Sequence, residues 1–519
     1  MSELLQAAVG IMLMLAAWLI PRHIAKARMA GLPAVLLDLS PVLLAAGLLL
    51  TATGRPIFTG LALVSLGGGF ALTDRTKREA LREPVVFSDI SELPHVFTHP
   101  QLYLPFAGAG LVIGGALATI TFGIALVSVE PPLWPPDTLL IVLLVAVLCA
   151  AGWVISREPV LGVAAGALRR LDPSDEPFAD AARLGPFAIL LVYGIIARAE
   201  RRARRARHVP PPAPALVSAA AAVPLVMVQC ESFFDARRVS PCVPRDLLPG
   251  FDDCLRHGAT FGRLEVAGWG ANTMRAEFAV LTGIPERDLG YDRFNPYHAF
   301  ARAPVASLAW RLRNEGYRTV CLHPFDRGFF RRDLTLKALG FETFLGRESL
   351  GGSRRPPYCS DPDLAHQVLR VLDEEGARTF IFVITMGNHG PWFEEGPPID
   401  AHLRQRFDTA GLPQGGQFLR YLDGLARSDD MLRILAEGLG PHGHDGVLGF
   451  YGDHQPSLPE AFSHFGFDEW ASDYILVDSV ASSARRLDIP ADHLPRVILD
   501  RLCERNAVEG RRAVALGAA

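Results

Sequence analysis

Four apolar runs in the second half of this 519-residue chain each pass straight into a residue type suited to metal or phosphate chemistry. PLVMVQC is followed by Glu231, TVCL by His323, TFIFVIT by the turn that carries His389, and VLGFYG by the Asp453-His454 pair. Two carboxylates and an imidazole together suit a divalent ion such as Mn2+ or Zn2+. A carboxylate at the end of a strand as apolar as PLVMVQC is costly to bury unless it is paired or metal-bound. The imidazoles of His323 and His389 can hydrogen-bond phosphoryl oxygens or act as general acid and base near neutral pH. GFFRRD (328–333) adds Arg331 and Arg332, whose planar forks match phosphate geometry, although one of two adjacent arginines usually faces solvent.

Between the first two runs lies GWGANTMRAEFAVLTG, in which helical spacing opens at Thr273. A hydroxyl there has two readings. It is the ordinary helix N-cap, or it is a nucleophile whose alkoxide a metal and the helix dipole both favour. Glu277 reads as helix-internal and structural, and Asp235 as a possible helix cap. Taken singly, each of these residues has a commonplace explanation: a turn Asp-His pair, a solvated strand-end Glu, a structural His. The weight lies in their repetition at four strand ends.

The elements that would position them alternate from about residue 223. SLAWRLRNEGY (307–317) has helical spacing and runs into RTVCLH, DLAHQVLRVLDEEG (363–376) precedes ARTFIFVIT, and FLRYLDGLARSDDMLRILAEGL (418–439) precedes VLGFYGDH. Helix followed by strand, repeated, predicts a parallel α/β sheet. In such a sheet ligands bind beyond the carboxyl ends of the strands, so the four polar endings converge on one site. No Walker-type loop or dinucleotide fingerprint is present, which leaves nucleotide cofactors unsupported.

The first half is different. Half of all residues are hydrophobic and the mean hydropathy is +0.22, with the excess lying before residue 200. Apolar runs near residues 3–20, 34–53, 56–73, 103–128 and 137–156 each match the length needed to cross a hydrocarbon core of about 30 Å. The first lacks a basic leading region and is followed by further spans, unlike a cleavable signal peptide. A sixth candidate, LGPFAILLVYGIIA (184–197), is short for a span and reads equally as an interfacial helix. The chain thus divides into a helical polytopic membrane domain of five or six spans (1–198), a basic juxtamembrane segment with a Pro/Ala linker (199–222), and an α/β domain (223–519). Loops 21–33 and 73–102 are rich in Lys and Arg, which puts them in the cytoplasm; five spans would then leave the α/β domain inside, and a sixth would move it outside.

A net charge of −4 and a pI near 6.4 argue against a general nucleic-acid binder. The exception, RAERRARRAR, reads as a juxtamembrane segment lying against anionic lipid headgroups. Six of seven cysteines follow the membrane region without a CxxC pair, which disfavours a zinc ribbon. Cys242 and Cys254 are a potential pair if the domain lies outside the cytoplasm.

Together these segments resemble the lipoteichoic acid synthase and phosphoglycerol transferase group of the alkaline phosphatase/sulfatase superfamily. ESFFD is similar to the first metal-ligand motif, ANTMRAEFAVLTG to the nucleophile segment, and HPFDRGFFRRDLTLKALGFETF to the substrate-binding segment; TMGNHGPW and YGDHQP match the two later motifs, in family order. LREPVVFSDI (81–90) is similar to a stretch common in the glucan-modifying members. The resemblance implies an alkaline phosphatase/sulfatase-type domain with a central, mainly parallel sheet, working outside the bacterial cytoplasmic membrane on the periplasmic or exterior face. It implies that Glu231, Thr273, Asp453 and His454 hold one divalent ion, Mn2+ foremost with Zn2+ or Mg2+ as options, and that Thr273 is also the nucleophile. His323, Arg332 and His389 would bind the phosphoglycerol group. The implied reaction moves glycerol phosphate from phosphatidylglycerol, or a related lipid donor in the bilayer, to a glycan or polyol-phosphate acceptor through a phospho-threonine; nucleic acid is not a partner.

One departure is visible: Phe330 stands where some members carry a Trp, which leaves the exact headgroup open. A phosphodiesterase would use the same site with water as acceptor. A sulfatase needs a Cys or Ser as formylglycine precursor, against Thr273, and a phosphoethanolamine transferase would favour more histidines and disulfides. A degenerate scaffold would lack ligands that are all present here.

Overall fold

Long apolar stretches become helices because only a helix satisfies its own backbone in hydrocarbon. In the computed structural model, which describes residues 2–28, 30–212, 222–353, 358–480 and 483–517, five helices are long and apolar enough to cross a membrane: Glu3–Ile24, Leu32–Thr53, Pro56–Leu81, Ala109–Val129 and Thr138–Ile155. Ser2 caps the first by accepting the Leu5 N–H, and Gly54, left-handed at φ 63°, closes the second. The fourth starts later than the apolar run beginning at residue 103, because Gly108 at φ 78° separates a short turn, Leu104–Ala107, from the long helix. With these five helices the chain is a multi-pass membrane protein.

The sixth candidate, 184–197, lies in a helix, Pro186–Arg207, whose second half is the arginine cluster. Its apolar part therefore ends too early to join the five. Asp38 anchors its first turn: one carboxylate oxygen accepts the Phe187 and Ala188 N–H groups at 2.9 and 3.0 Å, and the other takes Trp18 Nε1 at 2.7 Å and Arg22 Nη1 at 2.6 Å. The chain divides into two compact units, Met1–Arg202 and Ala203–Ala519. Within the second unit Arg204 is buried in an ion pair with Asp292, and Arg205 donates to the Ala299 carbonyl. Those two arginines are structural, where the sequence had suggested lipid headgroups as their partners. Most of the Pro/Ala linker, 213–221, lies outside the described residues.

The second unit is built on nine strands: β1 (Leu225–Cys230), β2 (Thr260–Glu265), β3 (Arg318–Leu322), β4 (Thr343–Leu345), β5 (Thr379–Ile384), β6 (Val447–Gly452), β7 (Ser472–Asp478), β8 (Arg485–Arg486) and β9 (Ile489–Pro490). Their order is β4-β3-β5-β1-β6-β7-β2-β8, with β9 also on β2. Pairing is parallel except at β6–β7 and β7–β2. Every residue of β1, β5 and β6 is buried, as expected for parallel strands covered on both faces. Alternate side chains of β1 feed two cores. Val226, Val228 and Cys230 pack with Leu364 and Leu372 of helix Asp361–Glu375 and Leu422 of helix Gly415–Gly438. Leu225 and Met227 pack with Phe278 of helix Thr273–Thr282, Leu312 of helix Leu308–Asn314 and Ile498 of helix Leu494–Gly517. The three helix-then-strand pairs of the sequence reading are present. The antiparallel β7, which reverses the sheet beside β6, had no clear signature. All seven cysteines are free, so Cys242 and Cys254 are not paired.

Candidate active site

Strands β3, β5, β1 and β6 are consecutive neighbours and mutually parallel, so their carboxyl ends lie side by side. The β1–β6 register runs as far as Cys230 against Gly452, and Glu231 and Asp453 therefore leave the sheet as neighbours. This requires a close approach. A Cβ on Gly452 would lie 1.7 Å from the Phe233 carbonyl oxygen, and Ser232 turns the chain in the left-handed region at φ 55°.

That turn aims the donors. The N–H groups of Ser232 and His454 both donate to Asp453 Oδ1, each at 2.9 Å. Asp453 Oδ2 is buried and has no hydrogen-bond partner among the described residues. His454 Nδ1 donates to the Gln455 carbonyl at 2.9 Å, which assigns the tautomer and leaves the Nε2 lone pair pointing inward. Nε2 lies 3.3 Å from Asp453 Oδ2, 3.4 Å from Glu231 Oε1 and 3.4 Å from Thr273 Oγ1. One ligand atom each from Glu231, Asp453 and His454 falls within 4.8 Å of the others, and all three residues are buried.

Burial first, then the Asp453 charge, pushes the Glu231 carboxyl up to about 8. Two carboxylates and an imidazole lone pair facing one another out of water are unfavourable as they stand. A divalent cation reverses each of those terms. A His that donates its other N–H to a carbonyl is the usual arrangement of a metal-ligating imidazole. The donor set fits such an ion.

Thr273 reaches this group because the flanking chains are laced together. Gly270 N–H donates to the Gln455 carbonyl at 3.1 Å, and Gly270 bridges to Pro456. The N-cap position is taken by Asn272, left-handed at φ 70° and making no side-chain cap bond. Thr273 is the first helical residue, and its hydroxyl faces His454. Of the two readings of this hydroxyl, capping is therefore not the one it adopts. Asp235 does cap, accepting the Arg237 N–H ahead of a short turn.

The second group centres on Arg332. The guanidinium is 2% exposed and grips Glu277, with Nη2 at 2.9 Å and Nε at 3.2 Å from Oε2. Its Nη1 donates to His323 Nε2 at 3.2 Å, while His323 Nδ1 donates to the Ile384 carbonyl at 3.1 Å. Burial first and the Arg332 charge second hold the His323 imidazole well below its usual range. Neutral, fully buried and with both nitrogens engaged, His323 orients Arg332 here and is not free to shuttle protons. Arg331 is exposed, and Phe330 and Arg331 are both left-handed, at φ 53° and 57°. That strained turn separates the two arginines.

His389 is placed differently. Its Nδ1 donates to the Gly390 carbonyl, which leaves Nε2 with no partner among the described residues. Burial lowers its pKa, partly offset by that carbonyl and by Asp453. The turn that carries it is held by Asp361, which accepts the Gly387 N–H at 3.1 Å and the Ser428 hydroxyl at 2.7 Å.

Glu277 is the residue whose part the sequence reading understated. Fully buried, it takes Arg332 on one side, and on the other accepts from the Tyr297 hydroxyl and from Gln229 Nε2, at 3.2 Å. Gln229 in turn accepts the Tyr451 hydroxyl at 2.5 Å. The available signal was its spacing: four residues beyond Thr273 puts both on one helix face.

The chain is similar to known proteins in sequence and in fold. The family model described as Sulfatase matches residues 225–486. The capsular polysaccharide biosynthesis protein RkpI of Rhizobium meliloti (strain 1021) is 31% identical over 438 residues, covering 82% of this chain and 77% of that protein. Among solved structures, the integral membrane lipooligosaccharide phosphoethanolamine transferase A of Neisseria meningitidis is 13% identical, with a TM-score of 0.54 and 95% of both chains covered, a likeness of fold that includes the helical half. The Streptococcus pyogenes phosphoglycerol transferase GacH, in complex with sn-glycerol-1-phosphate, is 19% identical over 60% of this chain and 80% of that one, with a TM-score of 0.44. With the family model spanning half of its length and a relative alike over four-fifths of it, the chain belongs to the sulfatase family.

Proposed function

We propose that the protein is a metal-dependent membrane phosphoglycerol transferase that carries glycerol phosphate from phosphatidylglycerol to a glycan or polyol-phosphate hydroxyl through a phospho-threonine at Thr273. The observation that carries this reading is the Thr273 hydroxyl at the head of its helix, 3.4 Å from the nitrogen that also faces Glu231 and Asp453. A threonine there suits a phosphoryl-transfer nucleophile, whereas a sulfatase needs a Cys or Ser that can become formylglycine. The motif order and the capsular-polysaccharide role in the name of RkpI support a glycan acceptor.

The first step forms the bond from Thr273 Oγ1 to phosphorus and breaks the bond to diacylglycerol, whose oxygen leaves with a proton. In the second, an acceptor hydroxyl attacks the phospho-threonine, gives up its proton and frees Thr273. Glu231, Asp453, His454 and Thr273 would hold the divalent ion; two carboxylates, an imidazole and a hydroxyl, without thiolate, suit Mn2+. Such an ion neutralises charge on phosphoryl oxygens and lowers the pKa of a coordinated hydroxyl. Arg332, oriented by Glu277 and His323, presents its remaining N–H groups to the phosphoryl oxygens. The open Nε2 of His389 takes and returns the proton. The helical unit tethers the enzyme to the membrane that contains the lipid donor. Residues 223–519 would lie outside it, the side the family resemblance implies, which with five crossings sets aside the inside placement given by the charges of loops 21–33 and 73–102.

The test is headgroup-labelled phosphatidylglycerol with the full-length protein and Mn2+. Diacylglycerol release should depend on a glycan acceptor, phosphatidylethanolamine should be a poor donor, and without acceptor the label should appear on Thr273 by mass spectrometry. If Thr273→Ala released diacylglycerol at the full rate, the nucleophile would lie elsewhere. Cys242 is exposed, and its labelling by an impermeant maleimide in intact cells checks the side of the membrane; labelling only after lysis would place the domain inside.

A further inference from the structure

Tyr358 lies on the segment that leaves β4, the strand next to β3 in the sheet. Gly352, on the same segment, is pressed against the chain leaving β3: a Cβ there would stand 2.0 Å from the Pro324 carbonyl oxygen. The Tyr358 ring meets His389 edge-on with centroids 6.1 Å apart, and Phe325, two residues beyond His323, at 6.0 Å. Its phenol oxygen is sealed from solvent and has no hydrogen-bond partner among the described residues. A buried hydroxyl without a partner is unfavourable, so such a group calls for an explanation. Burial, and next the Glu231 charge, push the phenol up to about 12, so the group is a proton donor at every working pH. An unused donor on a ring packed against the His389 turn and the chain leaving β3 is the complement of an anionic oxygen.

On the reading of the site given above, we propose that the Tyr358 hydroxyl is a further substrate-positioning donor, hydrogen-bonding a non-bridging oxygen of the phosphoryl group being transferred. The ring is held by its two aromatic neighbours, and the hydroxyl reaches a ligand that Arg332 approaches from another strand end. The motif matches do not include this residue. Its place beside the site rests on the ring contacts to His389 and Phe325.

The decisive comparison is Tyr358→Phe with wild type, both Mn2+-loaded and full length, with inorganic phosphate and sn-glycerol-1-phosphate as probes by calorimetry and phosphatidylglycerol and phosphatidylethanolamine as donors. The phenylalanine ring keeps the contacts to His389 and Phe325 and removes the unpartnered hydroxyl, so the melting temperature of the ligand-free protein should hold or rise. Affinity for both phosphate probes should fall about tenfold or more, the range for a lost hydrogen bond to a charged acceptor, and turnover of the two donors should fall by the same factor. Unchanged phosphate affinity overturns the assignment. So does a loss confined to phosphatidylglycerol, which would place the hydroxyl on the glycerol group. A fall in melting temperature matching the loss of binding also overturns it, as a structural role. Wild-type protein that binds neither probe would instead overturn the phosphoryl-transfer reading itself.

Discussion

Replacing Glu277 by Gln isolates the contribution of the buried ion pair to both stability and catalysis. The substitution keeps the shape of the side chain and removes its charge. Arg332, 2% exposed, would then have no anionic partner among the described residues, since its other hydrogen-bond partner is the neutral His323. Breaking a buried pair by removing one partner is unfavourable by about 3–5 kcal/mol. The amide oxygen still accepts one bond, so the lower end, about 3 kcal/mol, is the expectation. For a unit of this size roughly 2 °C of melting temperature follows each kcal/mol, giving a fall of about 6 °C. Activity should fall further than stability accounts for. Once released from the bidentate grip, Arg332 is no longer fixed against His323, and a misplaced phosphate-binding group lowers kcat/KM by about a hundredfold. A cycle with Arg332→Met separates the two effects. Removing both charges is expected to recover most of the melting temperature while leaving turnover low. Differential scanning fluorimetry and diacylglycerol release on the same preparations read both quantities. Glu277→Gln protein that melts within 1 °C of wild type and keeps its kcat/KM would refute the argument that this carboxylate balances and aims Arg332.

Gly452→Ala places a methyl group 1.7 Å from a backbone oxygen, so β6 and the Ser232 turn must separate; a loss of about 1–3 kcal/mol and an Mn2+ affinity at least tenfold weaker should show by calorimetry. An alanine that leaves Mn2+ binding unchanged would mean that the close approach does not set the metal geometry. The lowered pKa of His389 keeps Nε2 unprotonated at and above about pH 6.5. As pH falls through the lowered value the imidazole gains a proton and ceases to act as a base, so kcat/KM should be level through neutrality and drop on the acid side. His389→Gln should be slow and should lack that acid limb; a limb that persists assigns the base to another group.

The strand ends were readable because β1, β5 and β6 are buried along their whole length, and a strand covered on both faces reads as an unbroken apolar run. The polar residue that ends such a run is conspicuous in the sequence. Partnerships were not readable in the same way. The spacing from Thr273 put Glu277 on the nucleophile's helix face, but its partners, Gln229 and Arg332, lie 48 and 55 residues away and meet it only through the sheet order. His323 was identified by type, whereas its role depends on what its two nitrogens touch, the Ile384 carbonyl and Arg332. Tyr358 sits in SRRPPYCS, a stretch with neither periodicity nor a ligand pattern, and only its ring contact with His389 brings it to notice. β2 is only half buried, and TFGRLE carries too weak an alternation to announce an antiparallel partner. RAERRARRAR reads as a solvated or lipid-facing cationic run, and the sequence has no signal that Arg204 within it finds a buried acid.

The distribution of charge in the site leads to a final consequence. On the substrate side Arg332 is offset by Glu277 and His323 is neutral, so that half carries no net positive charge with which to draw in an anion. On the other side Glu231 and Asp453 stand together with no cationic side chain in hydrogen-bond contact and with Asp453 Oδ2 lacking a hydrogen-bond partner among the described residues. Above about pH 8, where the Glu231 carboxyl is ionised as well, a phosphate approaching that face without a divalent ion meets repulsion, and in a buried site such repulsion is strong. Arg332 therefore supplies orientation, and the attraction has to come from the ion. Phosphate binding should then be conditional on metal. Chelated protein should bind inorganic phosphate at least a hundredfold more weakly than protein reloaded with Mn2+, and Asp453→Asn should weaken the metal and the phosphate together. By linkage, phosphate must also tighten Mn2+ by the factor that Mn2+ tightens phosphate, which calorimetry run in both orders can check. Equal phosphate affinity with and without the ion would show that the two halves of the site act independently, and that Arg332 attracts the anion by itself.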